Sequence, residues 1–137
     1  MKIETKELSL PSRIESVEKA AVEAEMFAKQ SGFAEDELHS IDMAVREAVA
    51  NAVKHGNKLD ETKKVEIAFK HSTHGFELVI RDFGEGFAVD EVPDPTNPEN
   101  LLKADGRGIL FMRAFMDRVE WFNHDEGGII VKMLKKH

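Results

Sequence analysis

The hydrophobic residues of this chain change period partway along it, and that change narrows the fold more than any other feature. Ile14, Val17, Ala21, Ala24 and Phe27/Ala28 recur at helical spacing, as do Ile41, Ala44/Val45, Ala48/Val49 and Ala52/Val53. From residue 65 onward the spacing drops to two, with Val65, Ile67 and Phe69 in one run and Phe76, Leu78 and Ile80 in the next. A period near 3.6 draws an apolar stripe along a helix, and a period of two draws an apolar face on a strand. Amphipathic helices and one-faced strands in a single short chain bury their apolar sides against each other, which predicts layers.

The punctuation between these runs sets the expected elements. "MKIETKELSL" alternates weakly and suits an edge strand. In "PSRIESVEKAAVEAEMFAKQSGF", Ser12 and Glu15 have the spacing of a capping box, and Gly32 is the stop signal. The second helix is expected from Glu35, where an acidic first turn suits the positive end of the dipole, to about His55, with Gly56 beyond it. "KVEIAFKHS" and "GFELVIRDFG" read as strands joined by a hairpin-like "STHG". "GRGILFMRAFMDR" reads as a third helix and "VEWFNHDEGGIIVKMLKK" as a closing hairpin around Gly127-Gly128. The order β-α-α-β-β-loop-α-β-β predicts an α+β chain. It is a two-layer α/β sandwich: a mostly antiparallel mixed sheet of about five strands, covered on one face by about three helices. One domain over 1–137 is expected, since the sequence contains no repeat and no linker.

Composition removes several function classes. The formal net charge is −7, which opposes non-specific binding to nucleic acid or to an anionic membrane. Without cysteine there is neither a disulfide nor a thiolate metal site. "MKIETKELSL" lacks the apolar core of a signal peptide, and no apolar run is long enough to span a bilayer, so a cytoplasmic chain is expected. No pair of histidines has metal-ligand spacing.

Three stretches carry candidate chemistry. In "REAVANAVKHG", Glu47, Asn51 and His55 recur every four residues, and positions four apart on a helix drift by only about 40°. They form one slanting row beside the Ala/Val stripe, where water is partly excluded. A solvated helix edge gives the same pattern. The alternative is a hydrated-cation site, with the Asn51 amide oxygen as a hard ligand and the Glu47 carboxylate accepting a proton from an attacking hydroxyl. In "RDFGEGF", alternation puts Asp82 on the core-facing side with Phe76, Leu78 and Ile80. An inward acid needs a donor, and the exocyclic amino group of adenine would be one. Gly84 and Gly86 let the backbone lie close to a flat ligand. In "DGRGIL", glycines ahead of an amphipathic helix free backbone N–H groups for phosphate oxygens, with Arg107 and Lys103 close by. Each stretch alone also reads as an ordinary helix start or turn. The 17 residues between the last two stretches hold three of the four prolines, and a loop of about that length is commonly functional.

In this order the three motifs resemble the Bergerat ATP-binding fold, and "REAVANAVKHGN", "RDFGEGF" and "GRGILFMRAFMD" resemble the anti-sigma-factor serine/threonine kinases within it. The resemblance covers the chain from about residue 5 to its end. It implies ATP and Mg2+ as ligands, with a lid at about 88–105. It implies a kinase that holds a sigma factor and phosphorylates a Ser or Thr of a STAS-type anti-sigma antagonist, as a homodimer. Under the resemblance Glu47 is the general base, Asn51 the Mg2+ ligand, Asp82 the adenine-reading acid, and Gly84 and Gly86 the turn beneath the base. Gly106, Arg107 and Gly108 form the phosphate-side loop, with Lys103, Lys54 and His55 near phosphate or ribose. One position departs from the family pattern: Ile129 and Ile130 follow the hairpin glycines, where a Thr usually supports the acid. Two other readings share the motifs, a nucleotide-binding module without transfer activity and a detached histidine-kinase catalytic domain.

Overall fold

The computed structural model describes residues 4–84 and 115–136. Its elements are β1 (Glu4–Pro11), α1 (Glu15–Gln30), α2 (Glu35–Asn51), a π-helical turn (Ala52–Gly56), β2 (Lys64–Ser72), β3 (Gly75–Arg81), β4 (Arg118–Asn123) and β5 (Ile129–Lys135). The strands form one five-stranded sheet in the order β1-β2-β3-β5-β4, and every pairing is antiparallel.

The register follows from the two-residue period. Leu8 lies opposite Ile67, Ile67 opposite Ile80, Ile80 opposite Val131, and Val131 opposite Trp121. A second row runs Phe69, Leu78, Met133, Val119. Slipping any strand by one residue would turn its half of these rows to the other face, so the apolar rows fix the pairing. The same face receives the helices. Phe27 of α1 meets Phe69 and Phe76, each at 5.8 Å between ring centroids, and Phe33 meets Phe76 at 6.2 Å. Alanines at 20, 21, 24 and 28 of α1 and at 44 and 48 of α2 are fully or almost fully buried. Small side chains there let the two helices lie close together over the sheet.

The helix ends show where local signals held. Gly32 takes φ +92°, Phe33 N–H donates to Ala28 O and Gly32 N–H to Lys29 O, which is the Schellman arrangement. At the start of α2 the Glu37 carboxylate accepts from Ala34 N–H. The expected capping box at Ser12 and Glu15 does not form. Ser12 N–H donates to Lys63 O, which keeps that residue in the continuation of the sheet, and α1 begins only at Glu15. Ser12 is therefore too early to cap. Its Oγ is buried without a partner, and Ser16 Oγ donates to Pro11 O instead. Ile14, ahead of the first full turn, is half exposed rather than part of the buried stripe.

Candidate functional site

Glu47 and Asn51 occupy the last two turns of α2, and both are half-buried beside the buried Ala48, Val49, Ala52 and Val53. The row sits at the core margin, as its spacing predicts. It does not extend to His55 in the expected way. The α-helix ends at Asn51, and the chain widens into a π turn that includes Gly56. Asn57 N–H reaches back five residues to Ala52 O at 2.8 Å, and Leu59 N–H reaches Val53 O at 2.8 Å. A wider turn advances fewer degrees per residue, so the four-residue spacing that aligns Glu47 with Asn51 no longer governs His55. Lys54 and His55 are both exposed. Single π turns of this kind are frequent where a helix serves a site. The turn is followed by Lys58 and Leu59 at φ +53° and +60°, a left-handed pair that turns the chain toward β2. Each such residue costs of order 1–3 kcal/mol, so the surrounding packing must hold the pair in place.

Asp82 continues the inward face of β3, and only 5% of it is exposed. Its Oδ1 accepts from Gly84 N–H at 3.0 Å and from Ile129 N–H at 3.2 Å, while its own N–H donates to Ile129 O at 3.1 Å. The inward acid therefore has donors within the fold, which the sequence did not reveal. The hairpin that lacks a Thr hydroxyl supports the carboxylate through the backbone of Ile129. Burial pushes the Asp82 carboxyl above the usual carboxylate range. The two amide bonds and the charges of Lys63 and Arg81 pull it down but do not overcome that effect.

Glycines close around this carboxylate. A Cβ on Gly56 would stand 2.2 Å from Asp82 Oδ2, and one on Gly84 would stand 1.8 Å from Gly56 O. Gly128, at φ +88°, would place a Cβ 2.0 Å from Asp82 O. The end of the π turn, the turn after β3 and the closing hairpin thus meet at backbone distance about one acid. Gly56 reads in sequence as a helix stop and Gly128 as a hairpin residue, so neither stands out as part of a site.

Asn57 is a second residue that sequence reasoning passed over. It is 1% exposed, its Oδ1 accepts from Phe83 N–H at 2.8 Å, and its Nδ2 donates to Lys64 O at 3.0 Å. The Arg81 guanidinium lies over the Phe83 ring at 4.2 Å.

The π turn that continues the Glu47/Asn51 helix thus meets the Asp82–Gly84 turn at Gly56 and, through Asn57 just beyond it, at Phe83. Gly86, Lys103, Gly106, Arg107 and Gly108, the expected lid at 88–105 and the body of the expected third helix lie outside the described residues. A groove of about 440 Å³ between Ser12–Glu15 and Leu59–Glu61 shares no residue with the row or with the Asp82 cradle. Its lining is mostly polar, and Arg13 there pairs with Glu61 at 3.0 Å. No helix among the described residues is long and apolar enough to cross a membrane.

Comparison with known proteins gives the arrangement its relatives. The family described as histidine kinase-like ATPase domain matches residues 10–135. The serine-protein kinase RsbW of Bacillus subtilis is 30% identical over 135 residues, covering 94% of this chain and 83% of the relative. The anti-sigma F factor of Heyndrickxia coagulans is 37% identical over 131 residues, covering 92% of this chain and 86% of its own. Among solved structures, the RsbU and RsbW domains of a Mycobacterium tuberculosis protein superpose with a TM-score of 0.68 at 15% identity. That likeness concerns the fold, and it covers 97% of this chain and 32% of the longer one.

Proposed function

This chain belongs to the histidine kinase-like ATPase domain family and, within it, to the anti-sigma-factor kinases, and from that premise we propose that it is an ATP-dependent protein serine/threonine kinase that switches partners. It holds a sigma factor, and it phosphorylates a Ser or Thr of a STAS-type antagonist. The working unit is a homodimer. The carrying observation is the Asp82 cradle, in which an acid is buried against its own pKa and approached by backbone at Gly56, Gly84 and Gly128. The two backbone donors would be met by any side-chain oxygen, and they do not require that it be charged. Both amide donors fall on Oδ1, which leaves Oδ2 to accept the exocyclic N–H of a flat base.

The donor set fits a magnesium nucleotide. Asn51 offers a neutral hard oxygen on a half-buried turn, and Glu47 offers a carboxylate one turn earlier. A magnesium ion at such a site would take most of its ligands from phosphate and water. Bound magnesium supplies charge neutralisation at the phosphate oxygens. The chain's own part is positional. Asp82 reads the base, Asn51 fixes the phosphate end, and Glu47 meets the incoming hydroxyl. As the hydroxyl oxygen bonds to the γ-phosphorus, its proton passes to the Glu47 carboxylate, and ADP leaves with the electrons of the broken P–O bond. Gly86, Lys103, Gly106, Arg107 and Gly108 complete the phosphate side in this reading, with Lys54 and His55 at its edge.

The test is phosphotransfer from radiolabelled ATP to a candidate antagonist. Transfer should give an acid-stable phosphoserine or phosphothreonine. Glu47→Ala should slow it by roughly 10²–10⁴-fold while nucleotide affinity is retained. Normal transfer by that variant removes Glu47 as the base. ATP binding without any transfer by the wild type leaves a nucleotide-binding module that only sequesters its partner, and an acid-labile phosphate points to a histidine acceptor.

A further inference from the structure

We propose that Asn57 is a positioning residue for the nucleotide, setting the distance between the two ends of the site. The inference rests on the nucleotide reading above and assigns a role to a side chain outside its motifs. Asn57 follows the π turn directly and has ordinary backbone angles, φ −86° and ψ −7°, so its identity is not required by conformation. Its side chain is what the site uses. Oδ1 accepts from Phe83 N–H, in the turn next to Asp82, and Nδ2 donates to Lys64 O, at the start of β2. Its backbone N–H closes the π turn on Ala52 O. One buried amide therefore ties together the helix that carries Glu47 and Asn51, the edge of β2, and the turn that carries Asp82 and Gly84.

The need for such a tie follows from what lies beside it. Gly56 and Gly84 touch through backbone alone, with no side chain to interlock them, and the clearance at Gly84 is set by Gly56 O. Backbone contacts between glycines resist compression but not sliding. The Asn57 pair of hydrogen bonds fixes the slide. Asp82 itself does not depend on Asn57, because its carboxylate is held by Gly84 N–H and Ile129 N–H. Losing Asn57 should therefore leave each half of the site in being and spoil their spacing. A ligand touching only the Asp82 end should not register the loss, whereas a ligand spanning from Asp82 to Asn51 should.

The experiment compares adenosine with ATP·Mg2+ by calorimetry on the wild type and on Asn57 variants, with amide hydrogen exchange at Phe83 as the structural readout. For Asn57→Ala, ATP affinity should fall about tenfold or more, the scale of a lost buried hydrogen bond, while adenosine affinity changes less than about threefold. Phe83 N–H should lose protection. Asn57→Asp keeps an acceptor for Phe83 N–H but sets a carboxylate oxygen against Lys64 O, so protection at Phe83 should return at least in part while the selective loss of ATP affinity persists. If Asn57→Ala does not fold, Asn57→Ser carries the same comparison, since its hydroxyl can serve Phe83 N–H or Lys64 O but not both. A simple loss of stability would lower both affinities together. Equal losses for the two ligands, or no loss for either, overturn the proposal while leaving the nucleotide reading intact. A wild type that binds neither ligand overturns both.

Discussion

Replacing Asp82 by Asn separates what the acid does for the nucleotide from what it costs the fold. Asn is nearly isosteric, and its Oδ1 can still accept from Gly84 N–H and Ile129 N–H, so those two bonds survive. The substitution removes a charge whose burial already lifts the carboxyl above its usual range. For an acid with a raised folded pKa, the folded state binds more protons than the unfolded state between the two values. Stability is then fully present below the unfolded value, near 3.8, and falls as pH rises through the folded one. Above the folded value the wild type has lost that contribution, so Asp82→Asn should be equal or higher in stability there, and its stability should not show the fall. Binding should move the other way. The face that accepts adenine's exocyclic N–H would present an N–H of its own, so two donors would oppose each other. An unmet pair of this kind costs about 2–4 kcal/mol, or roughly thirtyfold to a thousandfold in affinity. Guanine carries an acceptor where adenine carries that donor, so the ratio of GTP to ATP affinity should rise. Urea unfolding across pH, with calorimetry for ATP and GTP, measures all three quantities. The reasoning fails if Asp82→Asn binds ATP like the wild type. It also fails if the variant is less stable at pH 7 by more than about 2 kcal/mol, which would make the acid a structural group.

Further expectations concern the other parts of the site and the core. Asn51→Ala should abolish the magnesium-dependent part of ATP affinity, and calorimetry with and without magnesium that shows the same increment as the wild type removes Asn51 as a ligand. Gly84→Ala sets a Cβ 1.8 Å from the Gly56 carbonyl oxygen, backbone against backbone. It should destabilise by about 2–4 kcal/mol in urea unfolding, and a loss under about 1 kcal/mol would mean that the helix end is free to move. Phe76→Ala empties the centre of the Phe27, Phe33, Phe69 and Phe76 cluster and should cost about 3–5 kcal/mol. Arg46 bridges Glu18 and Asp42 at a partly exposed position, so Arg46→Ala should cost less than about 1 kcal/mol, as thermal unfolding can check.

Much of the fold was legible because its signals are local and periodic. The two-residue runs fixed both β2 and β3 and the side on which they are buried, including the inward aim of Asp82. Gly32 ended α1 because a left-handed glycine satisfies carbonyls that no later residue reaches. The Ser12–Glu15 box failed because spacing alone cannot say that Ser12 N–H is already donating to Lys63 O, fifty-one residues away. The extension of α2 to His55 failed for a related reason. The sequence keeps its helical spacing past Asn51, yet the turn must widen where Gly56 meets Asp82 and Asn57 takes hold of Phe83.

The sequence by itself determined the layers, the two helices, the strand faces and the polar row of Glu47 and Asn51, since each depends on residues a few positions apart. Only the tertiary structure decided that Gly56, Gly84 and Gly128 converge on one carboxylate and that Ile129 lends it a backbone N–H where no hydroxyl is available. Those contacts join segments far apart in the chain through backbone atoms, and a backbone N–H or C=O is the same in every residue, so the sequence carries no mark of them.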